Sequence, residues 1–322
     1  MEKEELIKKI MNCCFADDSG NFWEKFKNWE PGQTFYTSSI DPDYRSKRLY
    51  EFHKFLWNKQ EQRKVDVIWN GYAYELIGIN DKKFRLGSDS IMSIYWHCSD
   101  KYEPYATIIK NLSQIENIEN TDEYKNLYGK YKGFYLDKDI TNYCPLKKFI
   151  YLYLQKANTI GGFIVFPRHD VSTVNTVRGK SGKIRDRFDL TLECIRRYYQ
   201  TRDYNPLFDV LEENKMYFGK DEDFFDIFRK GKLGFENYAR FFCLNESWVK
   251  NGKVLCLMNK DNKSLDTYDF SQEPLPKSTK QWWTFYRNII DRLDARNQQI
   301  AKILSDCSED DLQRLCDDLR LD

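Results

Sequence analysis

Apolar residues recur at helical spacing in two segments near the start of the chain. The first segment is residues 2–14 and the second is residues 46–57, and each predicts an amphipathic helix with one apolar stripe. The stripes contain Leu6, Ile7, Ile10 and Met11 in the first helix and Leu49, His53, Leu56 and Trp57 in the second. Because His53 shares a stripe with apolar residues, we expect it to be a buried, hydrogen-bonded structural histidine.

The hydrophobic pattern then changes to short runs rich in β-branched and aromatic residues. These runs predict strands at residues 65–69, 72–77 and 83–86. Asn80-Asp81, between the second and third runs, favours a hairpin turn. Ser88-Asp89-Ser90 follows the third run, and its side chains are of the kind that cap the start of a helix. We therefore expect a hairpin followed by a helix.

A continuous apolar run at residues 160–166 opens with two glycines and predicts a strand that is buried on both faces. A polar loop follows, and then residues 187–200 have the period of an amphipathic helix. The apolar face of this helix contains Phe188, Leu192, Ile195 and Tyr199. Asp186 stands just before the helix and is a suitable N-cap residue.

The C-terminal part of the chain is dominated by helical patterns. Helices are predicted across residues 206–216 and 222–249, and a short strand at residues 254–258. Ser278 and Gln281 have the spacing of a capping box, which predicts the start of a long helix, and a short helix closes the chain. The apolar stripe of the long helix contains Trp282, Tyr286, Ile289, Leu293, Ile300 and Leu304.

Together these elements predict an α+β fold, in which a small antiparallel or mixed sheet packs against several helices and the C-terminal half is rich in helix. We predict one continuous domain over residues 1–322. The alternative is a division into a strand-containing part, residues 1–150, and a strand-loop-helix and helical part, residues 151–322. Residues 111–145 are polar and suit a connector or an insertion.

Charge and composition exclude some classes of function. The chain has 51 basic and 50 acidic residues, so its net charge of +1 gives no general attraction to nucleic acid or membrane, and a phosphate site has to be a local patch. No apolar run approaches the roughly 18 residues of a membrane span. The start, Met1-Glu2-Lys3-Glu4-Glu5, is not a signal peptide. We therefore expect a cytoplasmic protein with no membrane partner.

The nine cysteines are scattered, and no C-x-x-C pair occurs among them. This pattern is typical of reduced, mostly buried thiols in a cytosolic protein rather than of a disulfide framework or a zinc site. Neither a metal nor a cofactor is predicted.

The densest basic segment is residues 178–187, which we call the basic loop. It contains five basic residues and one acidic residue, for a local charge of +4, and it stands between a predicted strand and a helix start. Backbone N–H groups at a helix N-terminus, glycines and arginine side chains are all suited to binding phosphate. The predicted phosphate-binding residues are Arg178, Gly179, Lys180, Lys183, Arg185 and Arg187, and the supporting residues are Asn175, Asp186, Asp189, Glu193, Arg196 and Arg197. The alternative is a solvated surface loop whose charges are offset by nearby acids.

The basic loop does not match a named nucleotide-binding motif. Gly179-Lys180-Ser181 has the last three positions of a Walker A motif, but Val174 stands where that motif requires glycine. His169 follows the predicted buried strand, close to the loop in sequence, and could transfer a proton, while Arg178 and Lys180 would stabilise charge on a phosphate. The alternative for His169 is an ordinary exposed side chain.

Several segments resemble an uncharacterised bacterial family, a domain of unknown function. The core of the resemblance is residues 160–167, Asn175, Arg178-Gly179 and residues 184–199, and further matching segments are residues 41–43, the stripe of residues 49–57, residues 88–91 and Arg296-Asn297. The resemblance implies a bacterial cytosolic protein and implies no activity.

From the residues alone, the function that we predict is binding of a phosphate-bearing ligand, either a nucleotide or an RNA or DNA segment, with phosphodiester cleavage as an extension. The catalytic residues would be His169 and Arg178. The alternative from a different class is a non-catalytic interaction module, which would dock an acidic partner through the same basic loop. The sequence does not indicate an oligomeric state.

Overall fold

The described part of the chain forms seven α-helices, a four-stranded sheet and a two-stranded sheet, which confirms the predicted α+β class. The computed structural model describes residues 2–15, 46–61, 65–71, 74–79, 82–91, 145–167, 181–200, 234–259 and 263–321, with the shorter stretches 24, 27–28, 30, 120, 122, 125, 178, 206–207, 225, 228 and 261. In chain order the elements are α1 (Lys3–Met11), α2 (Lys47–Glu61), β1 (Asp66–Trp69), β2 (Tyr74–Ile79), β3 (Lys82–Ser90), α3 (Pro145–Ala157), a 3-10 turn (Ile160–Gly162), β4 (Phe163–Pro167), α4 (Phe188–Gln200), α5 (Gly234–Phe241), β5 (Val249–Lys250), β6 (Lys253–Val254), α6 (Thr279–Ser305) and α7 (Glu309–Asp318).

The main sheet has the order β1-β2-β3-β4, and every pair in it is antiparallel. Ile79 pairs with Lys82, so a tight hairpin joins β2 to β3 as predicted, although Asn80 and Asp81 themselves lie outside the described residues. The prediction that residues 88–90 cap a helix is wrong. They continue β3 and pair with β4, and Asp89 lies opposite Ile164. Pairing with an apolar strand more than 70 residues away overrides the local preference of these side chains.

Two glycines allow β4 to start against the helices that cover it. A Cβ atom on Gly162 would overlap the carbonyl group of Ala157, at the end of α3. One on Gly161 would lie 2.5 Å from Oδ1 of Asn297, on α6. The strand predicted at residues 160–166 starts only at Phe163, because residues 160–162 form a 3-10 turn. The residues from Phe163 to Phe166 are all buried, as predicted.

The helix predictions are largely confirmed where the structure describes them. Ser278 caps α6 by accepting a hydrogen bond from the backbone N–H of Gln281, and Ser308 caps α7 in the same way. His53 is buried on α2, and its Nδ1 lies 2.8 Å from the carbonyl oxygen of Leu49. Trp57 stacks on Phe241, with 4.9 Å between ring centroids, so α2 and α5 share one aromatic core.

The predicted elements at residues 206–258 need correction. Within the described residues, the longest helix in this region is α5, and much of 206–233 lies outside the description. The predicted strand at 254–258 is short, because β6 ends at Val254 and a turn follows. Asn251 and Gly252 have positive φ values of 51° and 70° and form a two-residue hairpin between β5 and β6. Asn-Gly is a strong signal for this turn, and the sequence analysis missed it.

Candidate functional site

Arg178, the first residue of the basic loop, is completely buried and faces two carboxylates. Its Nε donates to Oδ2 of Asp89 at 2.5 Å, and its Nη1 lies 3.3 Å from Oδ1 of Asp186. Nη1 also donates to the backbone carbonyl of Asp186 at 2.9 Å. The prediction that Asp186 is the N-cap is therefore wrong, because α4 begins only at Phe188 and the carboxylate of Asp186 pairs with Arg178. The guanidinium is directed into the protein, where a solvent-borne phosphate does not reach it.

Arg187, the last residue of the basic loop, is also buried and forms a two-pronged ion pair with Asp189. The two contacts measure 3.0 Å and 2.6 Å, and the remaining Nη1 donates to the carbonyl of Pro274 at 2.7 Å. Oδ2 of Asp189 also accepts the backbone N–H of Leu257 at 2.9 Å. Burial alone would lower the pKa of Arg187, but the Asp189 carboxylate outweighs it and the pKa is raised. This pair joins α4 to the segment after β6.

Glu193 binds both arginines of α4, Arg196 and Arg197. It is fully buried and accepts two hydrogen bonds from Arg196, at 2.8 Å and 2.7 Å, and one from Arg197 at 2.7 Å. The hydrogen bond to Glu193 raises the pKa of Arg196. Arg197 also donates to the carbonyl of Tyr268 and lies over the ring of Phe270. Glu193 thus orients both arginines onto the protein itself.

These contacts change the electrostatics of the basic loop. Asp89 and Asp189, which lie outside residues 178–187, reduce its formal charge from +4 to +2. Of the predicted phosphate-binding residues, Lys183 is exposed and Arg185 is half-buried, whereas Arg178 and Arg187 are buried. Gly179, Lys180, Asn175 and the predicted catalytic His169 lie outside the described residues. The solvent-facing part of the predicted site therefore contains Gly182, Lys183 and the half-buried Arg185, and we call it the outer turn of the loop.

The backbone of the loop is held in an unusual conformation. Arg185 and Asp186 have φ values of 51° and 64°, a region that costs free energy for residues other than glycine. Backbone hydrogen bonds hold the chain in this conformation. The N–H groups of Ile184 and Arg185 donate to the carbonyl of Ser181, and the N–H of Asp186 donates to the carbonyl of Arg178. Gly182 projects into open space at the outer turn. Arg178 lies on the buried side of this turn and binds Asp186, whereas Gly182 and Lys183 on the other side face solvent.

A second set of buried polar side chains lies along α6. Asn288, Arg292 and Arg296 follow each other at four-residue spacing on one face, and we call them the carbonyl clamp. Together they donate to the backbone carbonyls of Leu257, Asn259, Leu255, Cys256, Phe242, Gly161 and Phe163. Burial lowers the pKa of Arg292 and of Arg296 to about 10, so both remain charged at neutral pH. Only Arg296 had been singled out from the sequence, although the four-residue spacing of the three is visible there.

A polar pocket of about 330 Å³ opens where the ends of α1 and α3 meet the middle of α6. Lys156 and Asp294 form an ion pair of 2.7 Å in its lining. Asn297 accepts the N–H of Gly161 at 2.9 Å and donates to the hydroxyl of Thr159 at 2.7 Å. The sequence analysis did not predict this pocket, because its lining comes from three elements that are far apart in the chain.

The described residues were also searched for other kinds of site. Among them, no group of three or more His, Cys, Asp or Glu side chains is placed to hold a metal ion. Seven of the cysteines are described, and none of these seven forms a disulfide bond. Within the same part of the chain, no helix combines the length and the apolar character needed to cross a membrane.

The fold and the buried ion pairs define an α+β protein in which the buried arginines of the described residues bind internal carboxylates and backbone carbonyls. The chain belongs to a family of unknown function, DUF6994, whose model matches residues 25–134 and 145–300. This confirms the resemblance to a family of unknown function that the sequence suggested. Neither the curated proteins nor the solved structures include a match to this chain.

Proposed function

We propose that the protein binds a phosphate-bearing ligand, a nucleotide or a short nucleic-acid segment, on the outer turn of the basic loop. The observation that carries the proposal is that Arg178 fixes this turn from beneath while Gly182 and Lys183 face solvent. A turn that is already ordered loses little conformational entropy when a ligand binds. The binding residues are then Lys183 and Arg185, with Gly179 and Lys180 of the same loop.

The charge of the loop supports weak, salt-sensitive binding. Its formal charge of +2, after Asp89 and Asp189 are counted, attracts phosphate, but exposed charges are screened by salt. Asp269 competes with the ligand for Lys183. Hydrogen bonds from Ser271 lower the pKa of the Asp269 carboxyl most, and the charges of Lys183 and Arg197 lower it further. We therefore expect binding that is measurable at low salt and weaker at moderate salt.

The proposal is limited to binding. In Arg178, Nε binds the carboxylate of Asp89, and Nη1 binds the carboxylate and the carbonyl of Asp186. We therefore assign Arg178 a structural role in place of the predicted stabilisation of charge on a phosphate. Proton transfer by His169 stays a prediction. We also propose a bacterial, cytoplasmic setting, as the family resemblance implies.

The binding test is a titration of the full chain with ATP and with a short single-stranded oligonucleotide, each at low and at moderate salt. The variant Lys180→Ala/Lys183→Ala is expected to lose most of the binding and to show a shallower dependence on salt. The matched control is Lys250→Ala/Lys277→Ala, which removes two exposed lysines from other surfaces and leaves binding unchanged. Equal binding by both variants contradicts the proposal. Binding of a poly-glutamate peptide but not of either phosphate ligand supports the alternative, an interaction module for an acidic partner.

A further inference from the structure

The polar pocket between α1, α3 and α6 is separate from the basic loop and has a different chemistry. Its lining includes the side-chain amides of Asn12, Gln155, Asn297 and Gln298, and the ion pair between Lys156 and Asp294. The amide of Asn297 is already bonded to Gly161 and Thr159, and that of Gln155 donates to the hydroxyl of Tyr151. Asn12 and Gln298 are therefore the amides that offer both donors and acceptors to a ligand. A ligand there meets one positive and one negative charge, together with polar groups and a larger share of apolar surface.

The ion pair is accessible from the pocket. The side chains of Lys156 and Asp294 are each 18% exposed, and both belong to the pocket lining. Because solvent reaches both groups, a ligand that carries a carboxylate and an ammonium group can match each charge with its opposite. A ligand with only one charge would leave the other partner of the pair facing a like charge or an uncharged group.

The rest of the lining limits what kind of ligand fits. Met11 and Ala301 supply apolar surface, and the described lining contains no aromatic ring. Nucleic-acid bases are commonly held by stacking on aromatic rings, so this pocket is poorly suited to them. Its volume of about 330 Å³ is at the lower end of the range for ligand pockets. The occupant is therefore small, and it combines charged groups with an apolar part.

We propose that this pocket binds a free α-amino acid. The carboxylate of the ligand pairs with Lys156, its ammonium group pairs with Asp294, and the amides of Asn12 and Gln298 contact its polar atoms. The proposal goes beyond the phosphate-binding function and does not depend on it, because the two sites share no residue.

The test is calorimetric titration of the full chain with each standard L-α-amino acid in turn. For any that binds, the corresponding amine without the carboxylate and the carboxylate without the amine are titrated as well, followed by glucose and adenosine. At least one amino acid is expected to bind, and the single-charge analogues are expected to bind at least about tenfold more weakly. No binding by any amino acid overturns the proposal, and so does equal or tighter binding of the analogues, glucose or adenosine.

Variants locate the site. Lys156→Gln and Asp294→Asn keep the approximate shape of each side chain and remove its charge, so each is expected to weaken binding at least about tenfold. Lys156→Arg keeps the charge and is expected to bind the amino acid. It therefore shows whether weaker binding in Lys156→Gln comes from the lost charge or from a disturbed fold. Lys302→Gln, at an exposed position on the same helix, is the matched control. Unchanged binding in the two neutral variants overturns the proposal, and so does loss of amino-acid binding in Lys180→Ala/Lys183→Ala.

Discussion

Asp89 on β3 and Arg178 in the basic loop form a buried ion pair, although they are 89 positions apart in the chain. Their side chains are 4% and 0% exposed, respectively. The pair ties the main sheet to the loop that precedes α4. It also explains why a segment with a charge of +4 lies partly inside the protein.

Removing one member of this pair is expected to destabilise the fold strongly. Arg178→Met leaves the carboxylates of Asp89 and Asp186 buried next to each other, and we expect a loss of about 3–5 kcal/mol in the free energy of unfolding. Urea denaturation measures it. The double variant Asp89→Asn/Arg178→Met should lose less than Arg178→Met alone, since one of the two buried charges is gone. A loss similar to that of Lys54→Ala, which breaks a surface ion pair and should cost about 0–1 kcal/mol, would contradict the assignment.

His53 is expected to make the stability of the protein depend on pH. Burial lowers its pKa from 6.5 to about 3, so the unfolded chain takes up a proton between these values while the folded chain does not. The contribution of neutral His53 is therefore fully present above pH 6.5 and is lost as the pH falls towards 3. The slope from this one group is up to about 1.4 kcal/mol per pH unit.

Comparison of the wild type with His53→Gln isolates this contribution, because other titrating groups are common to both proteins. Urea unfolding of both proteins is measured from neutral pH down to about 4.5. This interval covers the upper part of the pH range over which His53 is expected to lower the free energy of unfolding. The difference between the two curves should change with pH below 6.5 and be constant above it. Parallel curves over the whole range would show that His53 is not buried in its neutral form.

Gly162 and Gly182 provide a matched pair of substitutions to alanine. A Cβ atom on Gly162 overlaps the Ala157 carbonyl, whereas one on Gly182 has nothing within 4 Å. We expect Gly162→Ala to cost about 3 kcal/mol or more, because backbone has to move, and Gly182→Ala to have little effect. Thermal and urea denaturation of the two variants decide the matter. Similar stability of both would mean that α3 and β4 do not approach each other as described.

Arg296 is expected to be irreplaceable by lysine. Its guanidinium donates to three carbonyls, of Phe242, Gly161 and Phe163, and one ammonium group on a different stem does not reproduce that fork. Arg296→Lys should lower the free energy of unfolding by about 3 kcal/mol, since buried carbonyls lose their partners. Lys302→Arg, at an exposed position on the same helix, should leave it unchanged. An equal effect of the two exchanges would contradict the clamp.

Local sequence signals predicted the elements well but not the role of the loop. The cap at Ser278 and the hairpin between β2 and β3 follow from neighbouring residues, and the structure has them. The charge of the basic loop was counted over ten consecutive residues, and that window excludes Asp89 and Asp189. Which acid neutralises which arginine is decided by strand pairing and helix packing, which a local count does not include.

The polar pocket shows the same limit in a different way. Its lining residues lie in or next to three separate helices, and of them only Asn297 belongs to a segment that the sequence analysis singled out. The carbonyl clamp was accessible in part, because Asn288, Arg292 and Arg296 recur at four-residue intervals close to the apolar stripe of α6. In α6 the polar residues at that spacing bind backbone carbonyls rather than water.

The carbonyl clamp has a consequence for how the chain is made. All seven carbonyls that it binds belong to residues 161–259, and the clamp residues themselves, 288–296, leave the ribosome after every one of them. Until then, the start of β4 and the segment after β6 lack the donors that hold them. A nascent chain paused before α6 is therefore expected to be sensitive to proteases across these segments, and protection should appear only when the whole of α6 has emerged.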